Sequence, residues 1–500
     1  MLLSPLLRRR PLPVKLSPMR LDIREAPSAT SDEVTNTGIP DRYWTCALVS
    51  TFVLALAVRT IDLGSKSVFA DELASIRFAQ LNWTAFWRLI TGSEANMALY
   101  YVLLRFWIRI SDNVAFVRFL SVIPAVATVP VIYAIGKRLF SRPTAIIASL
   151  LFSLNTFDIS YSQAGRGYSL AVFLVTLSGL YFVESVQEAD NASAIGYVTA
   201  STAAWYAHFF ACFVFLSQVV ALLLPGVSRP VLVRQVRLMS WVAVLVTPLV
   251  LFAAVHKTQP LFWVQHPTAP EIYHFFTYLS GSGLKFGLSL VALLVAGSSW
   301  WLRARLREEQ GHSWPFAFLT LWFLLPVGMV LLLSHWKPVF SPRFLVISLP
   351  AFVLLVSEGL AGIRPRWAQY SITAVLVVSC LTALPSYYRA PGLEDWRTAA
   401  RYLEEQVAQP DAIVIADPAY RDIFEYSFRH FALELPTKTV IAGGDWGHSL
   451  TGSDHVWLIF CHPNSTDLAS GSARLADFSL QSRIQFTGVS VAEYVRSRPR

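Results

Sequence analysis

The sequence predicts an all-α polytopic membrane protein that carries a small α/β domain at its carboxyl end. Three observations predict it. Hydrophobic residues make up 54% of the 500 and charged residues only 15%, with 16 Trp, which is more apolar surface than a water-soluble core can hide. Apolar segments of membrane-crossing length recur from Tyr43 onward. At Pro385 these runs give way to mixed sequence with helical and strand-like periodicity.

The net charge of +9 is read by position, because in a membrane protein Lys and Arg record which side each loop faces. Nucleic acid is not the implied partner. The four cysteines, Cys46, Cys212, Cys380 and Cys461, are scattered singly, and three lie inside apolar segments. That spacing suggests neither a metal cluster nor a disulfide framework.

Residues 1–42 hold Arg8, Arg9, Arg10, Lys15 and Arg20 among several prolines, without apolar periodicity, and are expected to be a disordered basic cytoplasmic arm. No signal peptide is evident, since the first apolar run begins at Tyr43. That run, to Ile61, reads as a first span entering from the basic side. Asp71 and Glu72 then fall outside the cytoplasm. Carboxylates at the mouth of a span need solvation or a partner, which makes this pair a candidate for chemistry. An amphipathic, aromatic run follows from Leu73 to Ile90.

Met97–Ile110 is only about fourteen residues long, against the roughly twenty apolar residues of a span, and carries Arg105 and Arg109. It reads as a helix lying in the interface. The remaining spans are expected near 118–136, 143–160, 168–186, 194–207, 209–225, 238–256, 283–302, 314–334, 344–362 and 368–386, eleven in all with the first. With that count the basic clusters at 137–142, 229–237, 303–307 and 364–366 all face inside. The outer side then holds the loop 62–117, the stretch Asn155–Tyr168, a turn at His208, the loop 256–282, the loop His335–Arg343 and everything after about residue 387.

In the tail, Glu394–Gln406 has helical spacing. Ala412–Ala416 and Val456–Phe460 read as short buried strands, and Thr439–Gly444 as a strand running into a turn. The division expected is a membrane domain over 43–386 and an extracytoplasmic α/β domain over 387–500.

Arg59 and the Asp71-Glu72 pair, Asn96–Tyr101 (NMALYY), Arg118, Tyr161–Tyr168 (YSQAGRGY) and Ser341–Pro350 (SPRFLVISLP) succeed one another across the outward loops. In order and spacing they resemble the bacterial GT-C glycosyltransferases. The resemblance is closest to the branch related to protein O-mannosyltransferases and aminoarabinose transferases, glycosyltransferase family 39. It covers roughly residues 43–386. It implies a GT-C-like membrane domain and an enzyme that moves a sugar from a polyprenyl-phosphate carrier to a protein, lipid or polysaccharide acceptor on the outer face of the cytoplasmic membrane. Partners are then the lipid-linked donor, the acceptor and membrane lipids. No cofactor is named by the residues, and a divalent cation is left open.

The chemistry expected is one inverting displacement. Asp71 is the general base toward the acceptor hydroxyl, and Glu72, the other member of the catalytic pair, orients or supports it. Positive charge is wanted at the leaving phosphate, and Arg166 and Arg343 are first choices, with Lys337 and His335 next. Tyr101, Gln163, Tyr168 and Asp158 complete the expected substrate contacts, Asp158 because it faces outward beside Arg166, whose structural partner it equally suits. Arg118 and Arg343 at span ends also suit a snorkelling anchor, and His208 an ordinary hydrogen-bonding role. A transporter or lipid flippase, or an inactive GT-C scaffold of envelope assembly, is the alternative. Against a transporter, the sequence has no internal inverted repeat and no charge deep inside the expected spans.

Overall fold

A computed structural model describes residues 40–188, 190–255, 264, 266–305, 313–408, 411–431, 433–434, 440–442, 450, 453–462 and 475–497. The expected basic arm lies outside these residues except for its last three, and Asp41 already opens the first helix. The membrane part consists of α1 (Asp41–Thr60), α2 (Ala70–Gln80), α3 (Trp83–Ile90), α4 (Ala98–Trp107), α5 (Val114–Leu139), α6 (Arg142–Ser153), α7 (Thr156–Ser162), α8 (Tyr168–Gln187), α9 (Asn191–Ala207), α10 (Ala211–Ala221), α11 (Arg229–Val255), α12 (Ala269–Ser280), α13 (Gly283–Arg305), α14 (Ser313–Ser334), α15 (Leu349–Gly362) and α16 (Arg366–Arg389).

The chain is a multi-pass membrane protein. Among the described residues seven helices are long and apolar enough to cross a membrane, and the pair α6 and α7, bent by 56°, has the same length and composition as a broken span or a re-entrant loop. All eleven apolar segments of the sequence are helical, but α9, α10 and α15 fall short of that length. The chain breaks at His208, which caps α9. Close helix approach uses small residues, as is usual where lipid gives no hydrophobic drive between helices. A side chain at Gly359 of α15 would place its Cβ 1.9 Å from the Ala292 carbonyl of α13.

The amphipathic run after Asp71 is two helices rather than one. The first ends at Gln80, and Asn82 caps α3 by accepting the Ala85 N–H. The Met97 segment is one 3₁₀ turn followed by the ten-residue α4. Its Arg105 is buried, donating to the Ala79 carbonyl and stacking over Trp83, so the charge that shortens the apolar run ties α4 to α2 and α3.

Pro385 does not end the last membrane helix, which continues to Arg389. The tail then forms α17 (Trp396–Gln406), capped by Asp395, and α18 (Arg421–His430) against five strands: β1 (Ala412–Ile415), β2 (Val440–Ala442), β3 (His455–Cys461), β4 (Phe478–Phe486) and β5 (Val489–Arg496). The sheet order is β2-β1-β3-β5-β4, with β2, β1 and β3 parallel and β5 and β4 antiparallel to their neighbours. The first two strands and β3 overlap the expected ones; β4 and β5 have no counterpart in the sequence reading, because polar residues interrupt both runs, Ser479, Gln481, Arg483 and Gln485 in β4 and Ser490 and Glu493 in β5. Period-two alternation sends Ile413, Ile415, Trp457 and Ile459 to one face. That face packs α17 and α18, and the same apolar cluster takes in Val68, Leu73 and Val114. The tail therefore shares a core with the loop that carries Asp71. Arg397 adds polar ties, its backbone N–H donating to Ser67 Oγ at 3.0 Å and its guanidinium to the Ser65 carbonyl.

Candidate active site

The first turn of α2 displays the two expected carboxylates on different faces. Glu72 is fully buried and meets Arg118 of α5 fork to fork, Nε to Oε1 and Nη2 to Oε2, each at 2.8 Å. Its Oε1 also accepts the Gly165 N–H at 2.8 Å. Arg118 in turn donates to the carbonyls of Leu63, Lys66 and Ser67, so one ion pair clamps the loop before α2 to α5 and to the 163–167 turn. Gly165 lies close for a reason: a Cβ there would sit 3.0 Å from Glu72 Oε1. Arg118 is thus buried rather than snorkelling, because the carboxylate and three carbonyls supply what the headgroups would.

Asp71, one residue earlier, turns the other way and keeps 46% of its side chain exposed. Arg343, in the turn after α14, donates to its Oδ2 at 2.6 Å. Arg166, in the turn before α8, donates to the Asp71 backbone carbonyl, to Ser75 Oγ at 2.9 Å and to the Tyr101 hydroxyl at 3.2 Å. Tyr168 lies under the Arg166 guanidinium. Burial pushes the Asp71 carboxyl up, but the charges of Arg166 and Arg343 outweigh it and hold the group below the usual carboxylate range. The arrangement is an ionised, accessible carboxylate between two guanidiniums, each already ordered by protein contacts.

His208 borders this group. It is buried, and its ring lies 5.9 Å from Tyr168 and 5.6 Å from Phe344. Nδ1 accepts the Phe210 N–H at 3.2 Å, which leaves the proton of the neutral ring on Nε2. Nε2 is buried and has no hydrogen-bond partner among the described residues. Burial, then the charges of Arg166 and Arg343, push the imidazole down to about 3, so the ring is neutral across physiological pH.

The other expected contacts lie elsewhere. Asp158 is buried against Arg59 at 2.6 Å, not beside Arg166, because the α6–α7 bend turns it toward the end of α1. Gln163 is tied to the same end, donating to the Arg59 and Ile61 carbonyls and accepting the Tyr387 hydroxyl. His335 and Lys337 are exposed on the turn that leads to Arg343, and His335 packs edge-on against Trp336.

No protein-family model matches the chain, and no curated protein matches it in sequence. Solved structures do. ArnT from Cupriavidus metallidurans in the apo state superposes with a TM-score of 0.53 over 90% of this chain and 98% of its own, at 10% identity. ArnT from the same organism bound to undecaprenyl phosphate gives 0.52 over 91% and 98%, again at 10% identity. The fold is GT-C-like. The oligosaccharyltransferase AglB from Archaeoglobus fulgidus, in complex with an inhibitory peptide and a dolichol-phosphate, is similar at a TM-score of 0.49 and 10% identity, over 91% of this chain and 74% of its own.

Within this GT-C-like fold, three residues near Asp71 escaped the sequence reading. Ser75 holds Arg166 and stands one helical turn after Asp71, a spacing that could have marked it. Glu94 hydrogen-bonds the Tyr101 hydroxyl, and burial raises its carboxyl against the pull of Arg166. Glu394, from the tail, accepts the Ala70 N–H at 3.0 Å through Oε2. Nothing local distinguishes Glu94 or Glu394 in the sequence, since each reaches the site only through the packing of distant segments.

Proposed function

We propose that this chain is a membrane glycosyltransferase that passes a sugar from a polyprenyl-phosphate donor to a hydroxyl acceptor at the outer face of the cytoplasmic membrane, in one inverting displacement. The observation that carries the reading is the accessible Asp71 carboxylate held 2.6 Å from Arg343 in a GT-C-like fold. A protein of this fold, ArnT, has been crystallised with undecaprenyl phosphate, which favours a lipid-phosphate donor here.

Asp71 accepts the hydrogen bond of the attacking hydroxyl and takes its proton as the bond to the anomeric carbon forms. Its depressed pKa keeps it ionised and ready to accept that hydrogen bond. Arg343 and Arg166 stabilise charge that grows on the leaving phosphate, and the Nε2–H of His208 supplies a neutral donor beside them. Glu72 is a positioning residue rather than a second catalytic carboxylate, since Arg118 and the Gly165 N–H engage its oxygens. Orientation follows from the basic loops: amino terminus inside, with the Asp71 loop and the tail domain from about residue 387 outside.

The test is transfer of label from a panel of polyprenyl-phosphate sugars by purified protein in lipid, wild type beside Asp71→Asn. Consumption of one donor that ceases in the variant supports the reading. No turnover by well-folded protein across donors and acceptors turns the reading toward transport or scaffolding.

A further inference from the structure

We propose that Glu394, Cys461 and His462 form a binding site for a divalent cation of the zinc class, where the tail domain meets the Asp71 loop. Among the described residues these three bring one ligand atom each to within 4.8 Å of one another. Cys461 ends β3 and His462 follows it, so both stand at the carboxyl end of the parallel strands β1 and β3, where open α/β sheets place their ligands. His462 adopts φ 46°, a left-handed conformation uncommon outside glycine, and its N–H is held by the Gly488 carbonyl. That reversal brings two consecutive side chains of a strand end, which would otherwise point apart, to the same carboxylate.

The geometry suits a metal. His462 Nε2 and Glu394 Oε1 are 3.3 Å apart, and two N and O ligands bonded at about 2.0–2.1 Å in a tetrahedron are separated by about 3.4 Å. Glu394 is oriented for it. Its Oε2 accepts the N–H groups of Ala70 and of the Trp396 indole, at 3.0 and 2.7 Å, and its Oε1 is left to face His462. Such outer hydrogen bonds on a carboxylate are what fix a metal ligand. The Cys461 thiol, which also meets the Tyr420 hydroxyl, brings the third ligand atom. A sulfur, nitrogen and oxygen set selects a borderline-soft ion such as Zn²⁺ over Mg²⁺ or Ca²⁺, and three protein ligands leave a fourth position open. Through the Ala70 N–H this site is joined to the residue before Asp71, so a bound ion braces the first turn of α2. The scattered spacing of the cysteines hides the site in the sequence, because Glu394 lies 68 positions from His462.

Full-length protein in lipid is stripped with chelator, incubated with Zn²⁺, desalted, and its zinc measured by mass spectrometry. Wild type is expected to retain about one zinc per chain, and Cys461→Ser and Glu394→Gln to bind at least about tenfold more weakly. With Co²⁺ in place of zinc, wild type shows a thiolate-to-cobalt absorption that Cys461→Ser lacks. His462→Asn is the folding-safe variant, since the side chain is half exposed and Asn tolerates the same backbone. Retention of no zinc by wild type, or equal retention by wild type and His462→Asn, overturns the proposal. Metal is read without any sugar donor, so this result stands or falls apart from the transfer assay.

Discussion

Arg343 and Asp71, 272 positions apart, meet at 2.6 Å across the mouth of the helical bundle. The carboxylate is half exposed and the guanidinium mostly covered, so the pair is open on one side, toward whatever enters the site. Arg166 fixes the backbone of the same residue from behind. Asp71 is thus positioned by two cations from two different turns, neither of which lies near it in the chain.

Asp71→Asn keeps the shape and removes the acceptor charge. Transfer is expected to fall by about 10²–10⁴-fold, with insertion and melting temperature close to wild type. Label transfer alongside a melting curve in detergent checks it, and wild-type turnover would falsify the assignment of Asp71 as base.

Arg343→Gln removes the charge that helps to hold the Asp71 carboxyl down. A base with a depressed pKa stays active until the pH falls below the usual carboxylate range, so the acid limb of the wild-type profile lies low. Without Arg343 that limb moves to higher pH, and turnover on the plateau drops by about 10²–10³-fold. A pH–rate profile for both proteins decides; an unmoved acid limb counts against the coupling.

Glu72→Ala has a different signature from Asp71→Asn. It leaves Arg118 buried at 3% exposure without its carboxylate, and breaking one side of such a pair costs about 3–5 kcal/mol. Low yield and an early thermal transition are expected, whereas a well-folded, merely slow Glu72→Ala enzyme would contradict the clamp.

His208→Phe preserves the ring contacts with Tyr168, Phe210 and Phe344 and deletes the Nε2–H, together with the Nδ1 acceptor of the Phe210 N–H. Both kcat and kcat/KM for the donor are expected to fall about 10–10²-fold, the loss of one hydrogen bond to a charged phosphate of about 1.5–3 kcal/mol. Because the ring of His208 is neutral above about pH 3, its removal leaves the shape of the pH profile between 5 and 8 unaltered. Steady-state kinetics over that range test both statements.

Gly359→Ala probes the membrane core. Its Cβ meets the Ala292 backbone carbonyl at 1.9 Å, and a backbone atom cannot rotate aside. The helices α13 and α15 must separate, and a loss of about 1–3 kcal/mol or more is expected, read as a lower melting temperature.

Much of the membrane domain was legible because bilayer crossing imposes a length and a composition that single segments satisfy by themselves. The GT-C resemblance added the order of the outward motifs, and Asp71, Arg166 and Arg343 were singled out with it. The reading failed where a charge was judged by its segment alone. Arg118 sits at the end of an apolar stretch, where snorkelling is the local expectation, yet it is buried because Glu72 and carbonyls from another element reach it.

The sequence by itself determined that this chain crosses the membrane many times, that a mixed α/β tail follows, and that acidic and basic residues gather in the loops between spans. These are properties of hydrophobic length, periodicity and charge, which act locally. Only the tertiary structure decided that Glu72 belongs to Arg118 while Asp71 belongs to Arg343, that Asp158 answers Arg59, and that Glu394 of the tail holds the turn before Asp71. Two adjacent residues on a helix point about 100° apart, and which partner each finds depends on segments tens to hundreds of positions away, brought near by packing.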